Sequence, residues 1–103
     1  MMNKLFSEKV YRIIRQIPSG KVSTYGLVAR KLNSKAYRAV GTACRKNPNA
    51  PEVPCHRVVN SNGLVGNYSG DRGIKGKIVL LEKEGVKVRN NRILDFNKVL
   101  HRF

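Results

Sequence analysis

Residues 54–59 read Pro-Cys-His-Arg-Val-Val. Cysteine is the best soft nucleophile among the side chains, and imidazole is the base most often paired with it. Pro54 fixes the approach to Cys55, and the β-branched pair Val58-Val59 follows. The pattern predicts a reactive thiol on a rigid turn that runs into a strand. The surroundings are strongly basic. Twenty-one Lys and Arg oppose six Asp and Glu, for a formal charge of +15 and a pI near 10.6. Such an excess strains the compact state by self-repulsion, so a polyanionic partner is the simplest explanation, and nucleic acid fits best. A merely solvated basic surface is the plainer alternative.

A chain of 103 residues, 41% of them hydrophobic, suffices for one domain (1–103) and one packed core. No apolar run is long enough to span a bilayer, and no secretory segment follows the start. The expectation is a monomer in the cytoplasm, associated with the chromosome. The two cysteines, Cys44 and Cys55, are expected as free thiols in a reducing compartment. With His56 and His101 they lack the spacing of a zinc site, and no metal or cofactor is expected.

The elements that must position this chemistry are mostly helical. Phe6, Val10, Ile13, Ile14 and Ile17 recur at helical spacing, which predicts a helix over 7–17 with Ser7 as N-cap. Pro18-Ser19-Gly20 ends it in a turn. Ser23 or Thr24 caps a second helix through Leu32, with Leu27, Val28 and Leu32 inward. After an Asn33-Ser34 turn, Ser34 caps a third helix from Lys35 to about Lys46. Two short helices joined by a tight polar turn outline a helix-turn-helix. Residues 47–54 hold three of the four prolines, which predicts an ordered extended loop. Arg57–Val59 reads as strand, Asn60–Gly63 as turn, and Gly66–Gly70 as a glycine-flanked loop able to lie over a ligand. Ile74, Ile78, Leu80 and Leu81 give a helix ending near Glu84, with Gly85 as its C-terminal glycine. Residues 86–96 fit either irregular structure or a short hairpin, and 97–102 a final helical turn. The fold class is mainly α with short strands.

These residues resemble a known family. From about Phe6 to about Gly85 the chain is similar to the C-terminal, catalytic domain of O6-alkylguanine–DNA alkyltransferases. The resemblance is carried by Pro54–Val59, Gly66-Asn67-Tyr68-Ser69-Gly70, Arg38-Ala39-Val40-Gly41, Asn47-Pro48 and Tyr25, in this order and spacing. It implies a winged-helix-like, helix-turn-helix DNA-binding domain. Many members carry an additional N-terminal domain, in some with structural zinc; neither is expected here. A related alkyltransferase-like group has tryptophan where Cys55 stands and binds lesions without repairing them. Cys55 matches the active group.

The resemblance implies single-use DNA repair. Cys55 attacks the alkyl carbon on guanine O6, and an S-alkyl cysteine forms. His56 acts as base through a water, and Glu84 orients it. Tyr25 contacts the guanine and supplies a proton. The Ser69 amide contacts O6 beside Gly70, the carbonyls of Val58 and Cys55 read the guanine amino group, and Tyr68 walls the alkyl pocket. Asn47 packs near the cysteine as a hinge. Stacked guanine O6 is beyond reach of a thiol, so the nucleotide must be flipped out. Arg38 then fills the stack, with the third helix in the minor groove of double-stranded DNA. Small Ala36, Ala39 and Gly41 allow that approach, while Lys35, Arg45 and Lys46 meet phosphates. Tyr37 and Cys44 depart from the family pattern on this helix. Three functions follow: a single-turnover methylated-DNA–protein-cysteine S-methyltransferase, a lesion-binding protein that flags damage, and a helix-turn-helix regulator whose thiol is incidental.

Overall fold

The computed structural model describes residues 4–68 and 70–103. Its elements are helix α1 (Lys4–Ile14), strand β1 (Ser23–Thr24), helices α2 (Tyr25–Lys31) and α3 (Tyr37–Arg45), a 3-10 turn (Cys55–Arg57), strand β2 (Val58–Val59), helix α4 (Gly73–Lys83), strands β3 (Val88–Arg89) and β4 (Arg92–Ile93), and helix α5 (Phe96–Val99). The mainly helical reading with short strands holds. No helix among the described residues is long and apolar enough to cross a membrane.

Helix α1 starts earlier and stops earlier than its apolar spacing predicts. Ser7 lies inside it and is not its N-cap. The end at Ile14 follows from Pro18, which disfavours helical backbone before it. Tight turns, Gln16 N–H to Ile13 O and Ile17 N–H to Ile14 O, carry the chain on and keep Ile17 fully buried. Helix α2 is capped as expected, by Thr24, whose Oγ1 accepts from the Leu27 N–H at 3.1 Å. It ends in a Schellman motif. Asn33 takes positive φ, its N–H bonds Arg30 O, and the Ser34 N–H bonds Ala29 O.

The third helix is shorter than expected. The Ser34 hydroxyl accepts from the Ala36 N–H, two residues on, and forms a local turn instead of a helix cap. Lys35 and Ala36 therefore stand before α3, which begins at Tyr37. Helices α1, α2 and α3 close on one apolar cluster containing Val10, Ile14, Val28, Val40 and Ala43. Cys44, Val53, Cys55 and Val58 belong to the same cluster, so the Cys55 segment is part of the core wall.

Residues 47–54 are a chain of turns, not an extended loop. Asn47 Oδ1 accepts from the Asn49 N–H, and Asn49 O accepts from the Val53 N–H, which folds the segment on itself. Cys55 and His56 then lie in the 3-10 turn, and Arg57 belongs to that turn, so the strand begins only at Val58. Strand β2 pairs in parallel with β1, Ser23 opposite Val58 and Thr24 opposite Val59.

Helix α4 also ends in a Schellman motif. Gly85 has positive φ, its N–H bonds Glu82 O, and the Val86 N–H bonds Leu81 O. Val86 and Leu81 are buried together in a second cluster with Val59, Val65 and Ile93. The following segment takes the hairpin alternative, with β3 and β4 antiparallel around Asn90-Asn91. Both asparagines have positive φ, as the tight turn between twisted strands requires. The last helical turn is Phe96–Val99, not 97–102.

Between the two clusters lies Lys77 of α4, fully buried. Its Nζ donates to the carbonyls of Val58 at 2.8 Å, Val65 at 2.6 Å and Asn67 at 3.1 Å. One cation thus fastens β2 to the loop that follows it. A Lys77→Met substitution keeps the reach of the side chain and removes every one of these donors. It should destabilise the protein by about 2–4 kcal/mol, read from urea unfolding. A loss below about 0.5 kcal/mol would show that the three carbonyls do not depend on Lys77.

Candidate active site

Cys55 sits at the first position of the 3-10 turn, 3% exposed, on the wall of a cavity of about 460 Å³. Its sulfur accepts from Asn47 Nδ2 at 3.2 Å. The Asn47 amide is fixed in orientation, because Oδ1 receives the Asn49 N–H while Nδ2 also donates to Val53 O at 2.9 Å. The thiols of Cys55 and Cys44 are within hydrogen-bonding reach of one another. Hydrogen bonds from Cys44 and from Asn47, with the nearby Lys77 cation, bring the Cys55 thiol below its ordinary range despite burial.

Behind the cysteine, His56 is 2% exposed, and its Nε2 lies 3.0 Å from Glu84 Oε2. Arg57 grips the same carboxylate with two bonds, Nε to Oε1 at 3.0 Å and Nη2 to Oε2 at 2.7 Å. A third bond runs from Arg57 Nη1 to Ile17 O at 2.7 Å. Burial alone would raise the Glu84 carboxyl, but the Arg57 and His56 hydrogen bonds hold it below its ordinary value. Burial pushes the His56 ring down, and that outweighs the pull of Glu84 toward protonation. The ring is therefore neutral at neutral pH, with Nε2–H donating to the carboxylate. Its Nδ1 lone pair is buried with no hydrogen-bond partner among the described residues.

Tyr25 is the first residue of α2 and lines the cavity, with its phenol held protonated by burial. Its ring lies 6.0 Å from Lys77 Nζ, and Gly41 packs toward its edge. The ring of Tyr68 closes another side and meets His56 edge-on at 6.4 Å. Gly70 packs so closely on Tyr68 that a Cβ there would run into the ring. Arg38, Gly41 and Arg45 of α3 line the same cavity.

The expected residues therefore fall into groups. Cys55, Tyr25, Tyr68, Arg38, Gly41 and Arg45 meet at the cavity. Asn47, His56 and Glu84 stand behind the thiol, joined through the contacts above. Val58 is fully buried, its carbonyl accepts from Lys77, and it does not line this cavity. Lys35, Ala36 and Lys46 are exposed around α3, with Ala39 half-buried. Ser69 lies outside the described residues.

Three residues were missed as part of the site. Lys77 is one, although its place on the inward stripe between Ile74 and Leu81 signals a buried cation. Arg57 is another, read only as strand. Cys44 departs from the family pattern on α3, and the sequence assigns it no role. Among the described residues no group of three His, Cys, Asp or Glu could hold a metal ion.

A family model described as "6-O-methylguanine DNA methyltransferase, DNA binding domain" matches residues 5–86. A methylated-DNA–protein-cysteine methyltransferase of Methanosarcina mazei is 42% identical over 83 residues, covering 80% of this chain and 52% of that protein. The chain thus spans about half the length of the curated methyltransferases it matches. Among solved structures, Atl1 of S. pombe in complex with damaged DNA containing O6-carboxymethylguanine superposes with a TM-score of 0.85 at 33% identity, covering 100% of both chains. O6-methylguanine-DNA methyltransferase of Pyrococcus kodakaraensis gives a TM-score of 0.69 at 46% identity, over 79% of this chain and 46% of that one.

The electrostatics give a direct test at His56. Its NMR titration midpoint should lie below the ordinary ~6.5. In Glu84→Gln it should fall further, because the carboxylate is what favours the protonated ring. The unfolded chain binds this proton more readily, so the associated stability is full above ~6.5 and is lost as pH falls through the folded-state value. A midpoint that rises in Glu84→Gln would contradict this account.

Proposed function

The chain belongs to the 6-O-methylguanine DNA methyltransferase family, in its DNA-binding domain, and from that premise we propose that it repairs DNA by moving one alkyl group from guanine O6 to Cys55. The observation that carries this reading is the Cys55 sulfur itself. It lies in a cavity wall, is held by the Asn47 amide, and is followed in the same 3-10 turn by His56, which pairs with Glu84. Nucleophile, base and orienting carboxylate stand in the order that activated nucleophiles use.

The chemistry follows from those positions. Cys55 as thiolate attacks the alkyl carbon, the carbon–O6 bond breaks, and the electron pair leaves on the guanine. His56 Nδ1 is the free acceptor for the thiol proton, relayed through a bridging water. The carboxylate fixes the tautomer that leaves Nδ1 able to accept. Developing negative charge on guanine O6 needs a donor in a site with little water. The protonated Tyr25 phenol lines the same cavity and supplies one. Tyr68 gives the alkyl group an apolar wall. The product thioether is a poor leaving group, so each molecule acts once.

The substrate is duplex DNA, with the lesion nucleotide flipped into the cavity. On this reading Arg38, exposed on α3 and lining the cavity, occupies the gap left in the stack. Lys35, Arg45 and Lys46 flank it as phosphate contacts. Binding then depends weakly on sequence and steeply on salt.

A second reading is favoured by one observation, the full-length superposition on Atl1. In it the chain binds alkylated DNA and marks it without transfer. The two readings separate on intact mass. After incubation with an O6-methylguanine duplex, the peptide holding Cys55 should gain one methyl group per molecule and no more. Cys55→Ser should gain none while still binding the duplex. Tight binding with no added mass on the parent would establish the second reading. Arg38→Ala should slow transfer on duplex DNA at least tenfold and leave the slow reaction with free O6-methylguanine base unchanged. An equal loss on both substrates would show that Arg38 does not act through the duplex.

A further inference from the structure

Cys44 is the buried nucleophilic group that the mechanism above does not use. It lies in the last turn of α3, and its carbonyl accepts the Asn47 N–H at 3.3 Å. One end of one helix therefore sends two side chains to the same sulfur, the Asn47 amide and the Cys44 thiol. Both cysteines line the same cavity and both belong to the same apolar cluster.

Once one proton has left, a thiol–thiolate pair shares the other, and the surroundings decide which sulfur keeps it. Asn47 can present only N–H to Cys55, because its oxygen is engaged by Asn49. A fixed donor on one sulfur favours negative charge there. The other groups facing Cys55 oppose nothing. Tyr11 of α1, Tyr25 of α2 and Tyr68 of the covering loop are phenols that burial keeps protonated. Lys77 of α4 is a cation and acts on both thiols. His56 is kept neutral, and the Glu84 charge is held by Arg57 and His56. The hydrogen bond with Cys55 raises the Cys44 thiol, and its burial in the apolar cluster raises it further.

We propose that Cys44 is a positioning residue for the reactive sulfur: its S–H donates to the Cys55 thiolate from the end of α3, beside the Asn47 amide. The arrangement needs no bond between the sulfurs and no oxidant. It places a second donor where a third-helix side chain without a proton to give would leave only Asn47. The inference rests on the reading of Cys55 as nucleophile but is measured without DNA.

The test follows iodoacetamide alkylation of Cys55 against pH, with the modified peptide identified by mass so that Cys44 is scored separately. Cys44→Ala should move the midpoint of Cys55 alkylation up by about one unit, roughly a tenfold loss of thiolate at neutral pH. Cys44→Ser keeps a hydroxyl donor and should restore most of that shift. Cys44→Val, somewhat larger and with no donor, should behave as Cys44→Ala and replaces it if the smaller side chain fails to fold. An unchanged midpoint in the Ala and Val variants would overturn the proposal. So would a Ser variant shifted as far as Ala, since packing alone would then explain the effect. A parent protein that takes no methyl group from DNA would sink the repair function and leave this titration readable.

Discussion

The carboxylate of Glu84 is the constraint on which the rest of the site depends. It accepts from two successive residues of one 3-10 turn, His56 and Arg57. A bidentate guanidinium–carboxylate pair is among the stronger and most directional contacts a side chain makes. Here it also decides a tautomer, because a carboxylate at Nε2 leaves Nδ1 as the acceptor. An acid at the end of α4 is poorly placed against the helix dipole. The Schellman motif through Gly85 and Val86 nevertheless holds Glu84 there, and Arg57 and His56 supply the opposing donors. Arg57 extends the tie to Ile17 O beyond α1, so the first helix, the cysteine turn and α4 meet on one side chain.

The opposite side of the cysteine is organised by α3. Arg38 and Arg45 line the cavity, and Cys44 and Asn47 reach the sulfur from the C-terminal end of the same helix. The helix has nine residues and is buried in the core through Val40 and Ala43. On the proposed reading, the element that meets the duplex is therefore also the element that seats the thiol. The thiol is thus seated correctly only when α3 is docked on α1 and α2. Lys77 completes the enclosure from α4, since its three carbonyl partners fix the chain that runs under Tyr68. Burial brings this lysine down to about 8, so near neutral pH it is mostly a cation, and it sits where a thiolate benefits.

Much of the fold was legible because its local signals agree with its packing. Thr24 before α2, Pro18 after α1 and Gly85 after α4 each act as punctuation at the position the residue type demands. The misreadings share one cause. Ser7 and Ser34 look like caps, but a hydroxyl cannot tell from sequence whether a helix or a local turn will use it, and Ser34 serves a turn. The proline-rich segment reads as extended because proline disfavours helix, whereas the Asn47 side chain bends it into turns. At the site, Cys55 and His56 were visible through residue type and adjacency, and Tyr25 and Asn47 only through the family resemblance.

Arg57, Lys77 and Cys44 were not visible in that way, for a physical reason. Each acts through a contact 11 or more residues distant in sequence: Arg57 on Glu84 and Ile17, Lys77 on Val58, and Cys44 on Cys55. A buried cation or a paired thiol has meaning only once the partner is known. Sequence periodicity places Lys77 on an inward stripe, but it cannot say that three carbonyls wait there. The residues that perform the proposed chemistry carry their own chemical signature. Those that hold it in place borrow theirs from the fold, and so they emerge only when distant segments meet.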